Sequence, residues 1–191
     1  MRPLNIPIVL GSIRIGRKSR TVALFIHSRM AGDPRFISDF LDLGEHHFPM
    51  MEERLSEMAV PPPGLQEFSK KLEEADGLLI VSPEYKGGIP GVLKNAFDYL
   101  KPGILRRKPV GVCTVSAGGF GGLNCLTQLR LTILALGGLP IPDSLPVSRV
   151  EDFFDETGQP RDQKWPIQLN RFLDELLFYS GALAGTSGRK T

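Results

Sequence analysis

Leu78-Leu79-Ile80-Val81 places four apolar side chains in a row with no polar alternation. A strand with one face in water alternates apolar and polar residues. A strand without alternation is covered on both faces, the habit of parallel sheets flanked by helices. Val110 to Val115 reads as a further central strand, and 4–10, 36–43 and 145–150 read as three more. Asp39 and Asp42 mark the more exposed positions of 36–43.

Between these runs the apolar period changes to that of helices. Val22, Ile26 and Met30 share one face of 17–30. Leu65, Phe68, Leu72 and Ala75 share another, which Gly77 stops. Val92, Leu93, Ala96, Phe97 and Leu100 define a third helix. Leu123 to Leu136 is apolar almost all round, so more than one side must be covered. A final helix over 162–179 buries Ile167, Phe172, Leu173 and Leu176. Pro49 to Gly64, with Pro61-Pro62-Pro63, is irregular. Strands alternating with helices make one α/β domain with a five-stranded, doubly wound parallel sheet over 1–184. The tail 185–191 has nothing to bury and is expected to be disordered.

At 191 residues the chain can bury a sizeable single core. Its net charge of +2 gives no electrostatic case for nucleic acid or a membrane surface as partner. No apolar stretch approaches the roughly 20 residues that span a bilayer, and the first residues lack a signal-peptide cleavage site. Cys113 and Cys125 show neither metal nor C-x-x-C spacing and read as buried apolar fillers in a reduced, cytoplasmic setting. His46-His47 reads as an exposed turn rather than a metal site.

In open parallel sheets, ligands bind beyond the carboxyl ends of the strands. Three loops follow such ends. Gly11-Ser-Ile-Arg-Ile-Gly-Arg-Lys-Ser19 runs into a helix, whose N–H groups attract anions. Ser12 and Ser19 add hydroxyls, and Arg14 and Arg17 add forked cations. A nucleotide P-loop needs Lys directly after its second glycine, but here Arg17 displaces Lys18-Ser19 by one place. The G-x-G-x-x-G of a dinucleotide site is absent as well. The loop suits a single monophosphate. Ser82-Pro-Glu-Tyr-Lys-Gly-Gly-Ile-Pro-Gly91 fixes an unusual backbone path that holds Tyr85 as one wall of a slot. Ser116-Ala-Gly-Gly-Phe-Gly-Gly122 is uncharged and suits contact with a flat ring. Together they fit a mononucleotide with a large planar head. Hydrolytic chemistry has little support, since Glu84 stands alone and no histidine follows a core strand.

Gly11-Ser-x-Arg and Pro83-Glu-Tyr-x-Gly-x-Ile-Pro-Gly-x-Leu-Lys-Asn-Ala-Phe-Asp98 resemble the NADPH-dependent FMN reductase family, with its quinone, azo and chromate reductases. The resemblance covers about 4–140. It implies a flavodoxin-like fold with strand order 2-1-3-4-5, FMN as cofactor, NADPH or NADH as electron donor, and a homodimer or homotetramer. It further implies that Ser12, Arg14, Arg17, Lys18 and Ser19 surround the FMN phosphate. Pro83, Glu84, Tyr85 and Lys86 would contact the isoalloxazine, and Ser116, Gly118 and Gly119 would line its other side. Many relatives carry Asn in place of Lys86; a cation there would ease flavin reduction.

The implied activity is ping-pong hydride transfer from NAD(P)H to a small-molecule acceptor: a quinone, azo dye, flavin or metal oxyanion. It requires no obligate catalytic side chain and no metal. A flavodoxin-type carrier would want a Ser/Thr-rich phosphate loop and an acidic docking face, and this chain has neither. A flavin-bound interaction protein, regulated by its redox state, is the other alternative. Leu131-Thr-Ile-Leu-Ala-Leu136, with Phe97 and Tyr99, offers apolar surface for a second subunit.

Overall fold

The two runs without alternation form the centre of the sheet. In the computed structural model, which describes residues 2–184, β5 (Leu78–Pro83) and β6 (Pro109–Val115) are buried at every position and pair in parallel from Leu78↔Val110 to Pro83↔Val115. Successive side chains serve opposite faces. Leu79, Val81, Cys113 and Val115 join one apolar cluster; Leu78, Ile80, Val110 and Val112 join the other.

The remaining strands extend the sheet on both sides. On one side lie β1 (Leu4–Asn5) and β2 (Ile8–Leu10), then β3 (Phe36–Ile37) and β4 (Phe40–Asp42). β2 pairs with β5 and β4, and β1 pairs with β3, all in parallel. The stretches 4–10 and 36–43 are thus each broken in two. Pro7 supplies no N–H to the ladder, yet Ile6 and Ile8 donate to the carbonyls of Ile37 and Asp39, each at 2.8 Å, and keep register across the break. On the other side β7 (Leu139–Pro140) and β8 (Leu145–Val147) both pair with β6, at Pro109–Val110 and at Cys113–Val115. The sheet order is β4-β2-β5-β6-β7, with β8 also on β6.

Five helices cover the sheet. α1 (Ser19–Ala31) and α5 (Trp165–Ala184) lay Val22, Ile26, Met30, Phe172 and Leu176 on one face. α2 (Leu65–Glu74), α3 (Gly91–Asp98) and α4 (Leu123–Ala135) lay Phe68, Leu72, Leu93, Leu129 and Ile133 on the other. Helices on both faces of a parallel sheet define the doubly wound α/β class.

Three expectations need correction. Ile167 is 69% exposed, so α5 buries Leu169 in its place. Phe97 and Tyr99 are 2% and 1% exposed and offer no surface to a partner. The irregular segment roofs them: the Tyr99 hydroxyl donates to Pro49 O at 2.9 Å, the Asn95 amide donates to the same oxygen, and Met51 N–H donates to Asn95 Oδ1. Asp42 is buried at 1% exposure, and the reason lies in the site. The tail 185–191, expected to be disordered, lies outside the described residues.

Candidate active site

Because all the strands are parallel, the loops after β2, β5, β6 and β8 meet at one edge. The first is built around Arg17. Its Nη1 donates to Ser12 O and its Nη2 to Asp42 Oδ2, each at 2.6 Å. Asp42 Oδ1 accepts from Gly44 N–H at 2.8 Å, and Arg20 Nε stands 3.5 Å from Oδ2. The guanidinium therefore lies over Gly44, where an added Cβ would come within 2.2 Å of Nη1. Asp42 ends a strand beside a partly buried cation, which is why it is inside. Lys18 pairs with Glu151 at 3.3 Å. Arg14 is exposed and makes no ion pair among the described residues.

Ser19 opens α1, whose first turn has no acidic residue and no side-chain cap. The Ser19 hydroxyl is buried and has no hydrogen-bond partner. A buried hydroxyl without a protein partner beside uncapped helical N–H groups is a donor set suited to an anion's oxygen.

The loop after β5 forms a hairpin. Tyr85 and Gly88 exchange both backbone hydrogen bonds, at 3.0 and 3.1 Å. Lys86 and Gly87 between them have φ of 52° and 75°, the left-handed pair that a type I′ turn needs. The Tyr85 and Ser12 hydroxyls share a hydrogen bond of 2.7 Å, which ties this loop to the first. Glu84 Oε2 accepts from Cys125 N–H at 3.0 Å, so its carboxylate caps α4. Burial pushes the Cys125 thiol up to about 11, and at neutral pH it stays protonated.

The glycine loop after β6 is fixed to the segment after β8. Val150 N–H donates to Ser116 O and Arg149 N–H to Gly118 O, each at 3.1 Å, while the Ser116 hydroxyl donates to Gly118 O. A Cβ at Gly118 or Gly119 would meet no heavy atom within 4 Å. That side is open.

These loops enclose a cavity of about 140 Å³. Of the residues expected at the site, Arg14, Arg17, Lys18, Ser19, Pro83, Glu84, Tyr85 and Ser116 line it. Ser12 lies just behind it through Tyr85, and Lys86, Gly118 and Gly119 are exposed outside it. Sequence reasoning missed Val150 and Glu151, which also line it, because only three strand ends were followed and β8 supplies a fourth. It also missed Asp42. A larger groove of about 820 Å³, with Leu4, Leu177 and Phe178 in its walls, lies at the amino-terminal edge of the sheet, away from all four loops. Among the described residues no group of three or more His, Cys, Asp or Glu could hold a metal, and no helix is long and apolar enough to cross a membrane.

A parallel sheet wound on both faces, with the loops after β2, β5, β6 and β8 gathered at its carboxyl edge, defines a flavodoxin-like fold. Solved structures with this fold include FerB, a flavoenzyme NAD(P)H:(acceptor) oxidoreductase from Paracoccus denitrificans. It superposes with a TM-score of 0.75 at 22% identity, covering 94% of this chain and 98% of that one. An NADH:FMN oxidoreductase (EMOB) in its apo form gives 0.76 at 19% identity, over 92% and 89%. Residues 4–152 match the NADPH-dependent FMN reductase family, and the chain belongs to it. Its homologues include an FMN-dependent NADPH-azoreductase of Staphylococcus saprophyticus, 26% identical over 90% of this chain and 93% of that protein. A quinone reductase of Pseudomonas putida is 28% identical over 90% and 91%.

Proposed function

We propose that this protein binds FMN at the carboxyl edge of its sheet, oxidises NADPH or NADH, and reduces a small-molecule acceptor of the quinone or azo class. The observation that carries the reading is the buried, unpartnered Ser19 hydroxyl at the uncapped start of α1. A phosphate monoester supplies the acceptor oxygens that the hydroxyl and the helical N–H groups lack. The remaining lining suits the same group, with Arg14 at the rim, Tyr85 in the wall and the open Gly118–Gly119 stretch beyond it.

FMN, when bound, supplies reversible hydride chemistry that couples the oxidation of a nicotinamide to the reduction of a second substrate. The protein's part is positioning. Ser19 and the α1 N-terminus would hold the phosphate, with Arg14 neutralising it from outside. Lys18 and Glu151 close one side of the cavity through their ion pair. Tyr85, fixed by Ser12 and the turn, would stand beside the ring, and Pro83, Glu84 and Ser116 line the same space. At about 140 Å³ the cavity falls below the roughly 300–1,000 Å³ that encloses a drug-sized ligand. A flavin held there would therefore be only partly enclosed by this chain. No side chain is required as nucleophile: Glu84 is committed to α4 and Cys125 is protonated.

Two finer features belong to this reading. Leu123, Leu131 and Leu134 lie along one exposed face of α4, at 59%, 65% and 55% exposure, and form the surface of a homodimer. Cys113 and Cys125 are free thiols, which suits a reducing, cytoplasmic setting.

The test is direct. Purified protein incubated with FMN and desalted is expected to be yellow, and to turn over NADPH catalytically when a quinone or azo acceptor is supplied. Ser19→Ala should weaken FMN binding about tenfold while leaving the thermal transition of the apoprotein unchanged. A colourless wild-type protein with no calorimetric response to FMN overturns the proposal.

A further inference from the structure

We infer that Arg17 and Asp42 act as a positioning pair rather than as phosphate ligands, and that Asp42 thereby sets the preference for a phosphorylated flavin over an unphosphorylated one. The inference rests on the FMN reading above. Arg17 is the residue in the anion loop that most invites assignment to the phosphate, yet both of its terminal nitrogens are already engaged. Nη1 holds Ser12 O and Nη2 holds Asp42, each at 2.6 Å, with the arginine side chain only 13% exposed. The adjacent Asp42 carboxylate offsets the guanidinium's charge, and the two bonds fix its orientation between Ser12 and β4.

Its geometry instead shapes the loop. Asp42 ends β4, so the pair fastens the loop between β2 and α1 to the neighbouring strand. Through Ser12 O the same guanidinium sets the residue whose hydroxyl meets Tyr85. A chain of contacts thus runs from Asp42 to Arg17, Ser12 and Tyr85, joining the phosphate end of the site to the ring end. Asp42 also lies 3.5 Å from Arg20, so one carboxylate serves two cations. Gly44 completes the device, because any side chain there would enter the space of the guanidinium.

The two roles for Arg17 make opposite demands on Asp42. If Arg17 bound phosphate by charge, removing the carboxylate would free two arginines and tighten FMN binding. If Arg17 positions the loop, removing the carboxylate slackens it, and the phosphate loses the Ser19 and helix contacts.

FMN and riboflavin titrations of the apoprotein, read by flavin fluorescence, decide the matter. Wild type is expected to prefer FMN. Asp42→Asn should reduce that preference about tenfold, through FMN rather than riboflavin. Arg17→Lys, which keeps the charge but cannot span both acceptors, should do the same. Breaking a buried ion pair can unfold a protein, so Gly44→Ala provides a second route. It keeps every charge, its backbone is not left-handed, and it displaces only the guanidinium; the same loss of preference is expected. An unchanged or greater preference for FMN in Gly44→Ala, or in a folded Asp42→Asn, overturns the inference and leaves the cofactor reading standing. Wild-type protein without a preference for FMN defeats both.

Discussion

Lys86 holds a left-handed φ of 52° that lysine adopts at a cost, in a turn position where Asn and Gly are the favoured residues. Its side chain is exposed and makes no ion pair among the described residues, beside a tyrosine that lines the site. Lys86→Asn is therefore expected to do two things. Relief of backbone strain should raise stability by up to ~1 kcal/mol, seen as a higher melting temperature. Loss of the cation should lower the midpoint potential of bound flavin in a reductive titration; an unchanged potential would place Lys86 outside the cofactor's field. At this scale the sequence was readable where chemistry is local. Ser19 and Tyr85 declare themselves by following strands. Asp42 did not, because an acid in a short edge strand reads as solvent-facing, and the arginine that draws it inside lies in a separate loop.

At the scale of elements, α2 ends without a glycine cap and finds its partner across the fold. Lys108, at the head of β6, donates its Nζ to the carbonyls of Leu72 at 2.6 Å and of Glu73, satisfying oxygens that a helix end leaves free. Burial lowers the Lys108 pKa to about 8, against an ordinary 10.5. Between these values the unfolded chain holds a proton that the native state has released, so this group makes stability rise with pH from about 8 to 10.5. Denaturant titrations at several pH values should show that rise, approaching ~1.4 kcal/mol per pH unit, in wild type relative to Lys108→Met. Equal slopes in the two proteins would mean the amine keeps its ordinary pKa. Element types were legible from period alone, since β5 and β6 have no polar alternation and α1 and α2 have clean stripes. Breaks were less so. Pro7 interrupts the ladder at 4–10, and β7 and β8 divide one edge of β6, details that hydrogen-bond geometry decides.

On the scale of the whole molecule, both faces of the sheet are covered, and one side of α4 keeps an apolar stripe exposed. The sequence indicated surplus apolar surface but placed part of it wrongly. Phe97 and Tyr99 are satisfied by the Pro49–Met51 stretch of their own chain, a contact that periodicity cannot reveal because that stretch has none. Leu131 and Leu134 keep their exposure. Sedimentation at micromolar concentration should give a dimer for wild type and a monomer for Leu131→Asp, with the helical circular dichroism of the two proteins alike. A wild-type monomer would remove α4 from consideration as an interface.

Gln128 lies on α4 one turn before Leu131, and its amide grips the Tyr85–Gly88 turn from both directions: Nε2 donates to Gly87 O at 3.0 Å, and Oε1 accepts from Ile89 N–H at 3.3 Å. A single helix thus carries the proposed subunit surface on its outside and the bracket for the Tyr85 turn on its inside. If α4 is that interface, self-association and cofactor loading would share one mechanical part, and any coupling between them would be of the same factor in both directions. Dilution that splits the pair should loosen the chromophore, and saturating the chromophore should hold the pair together.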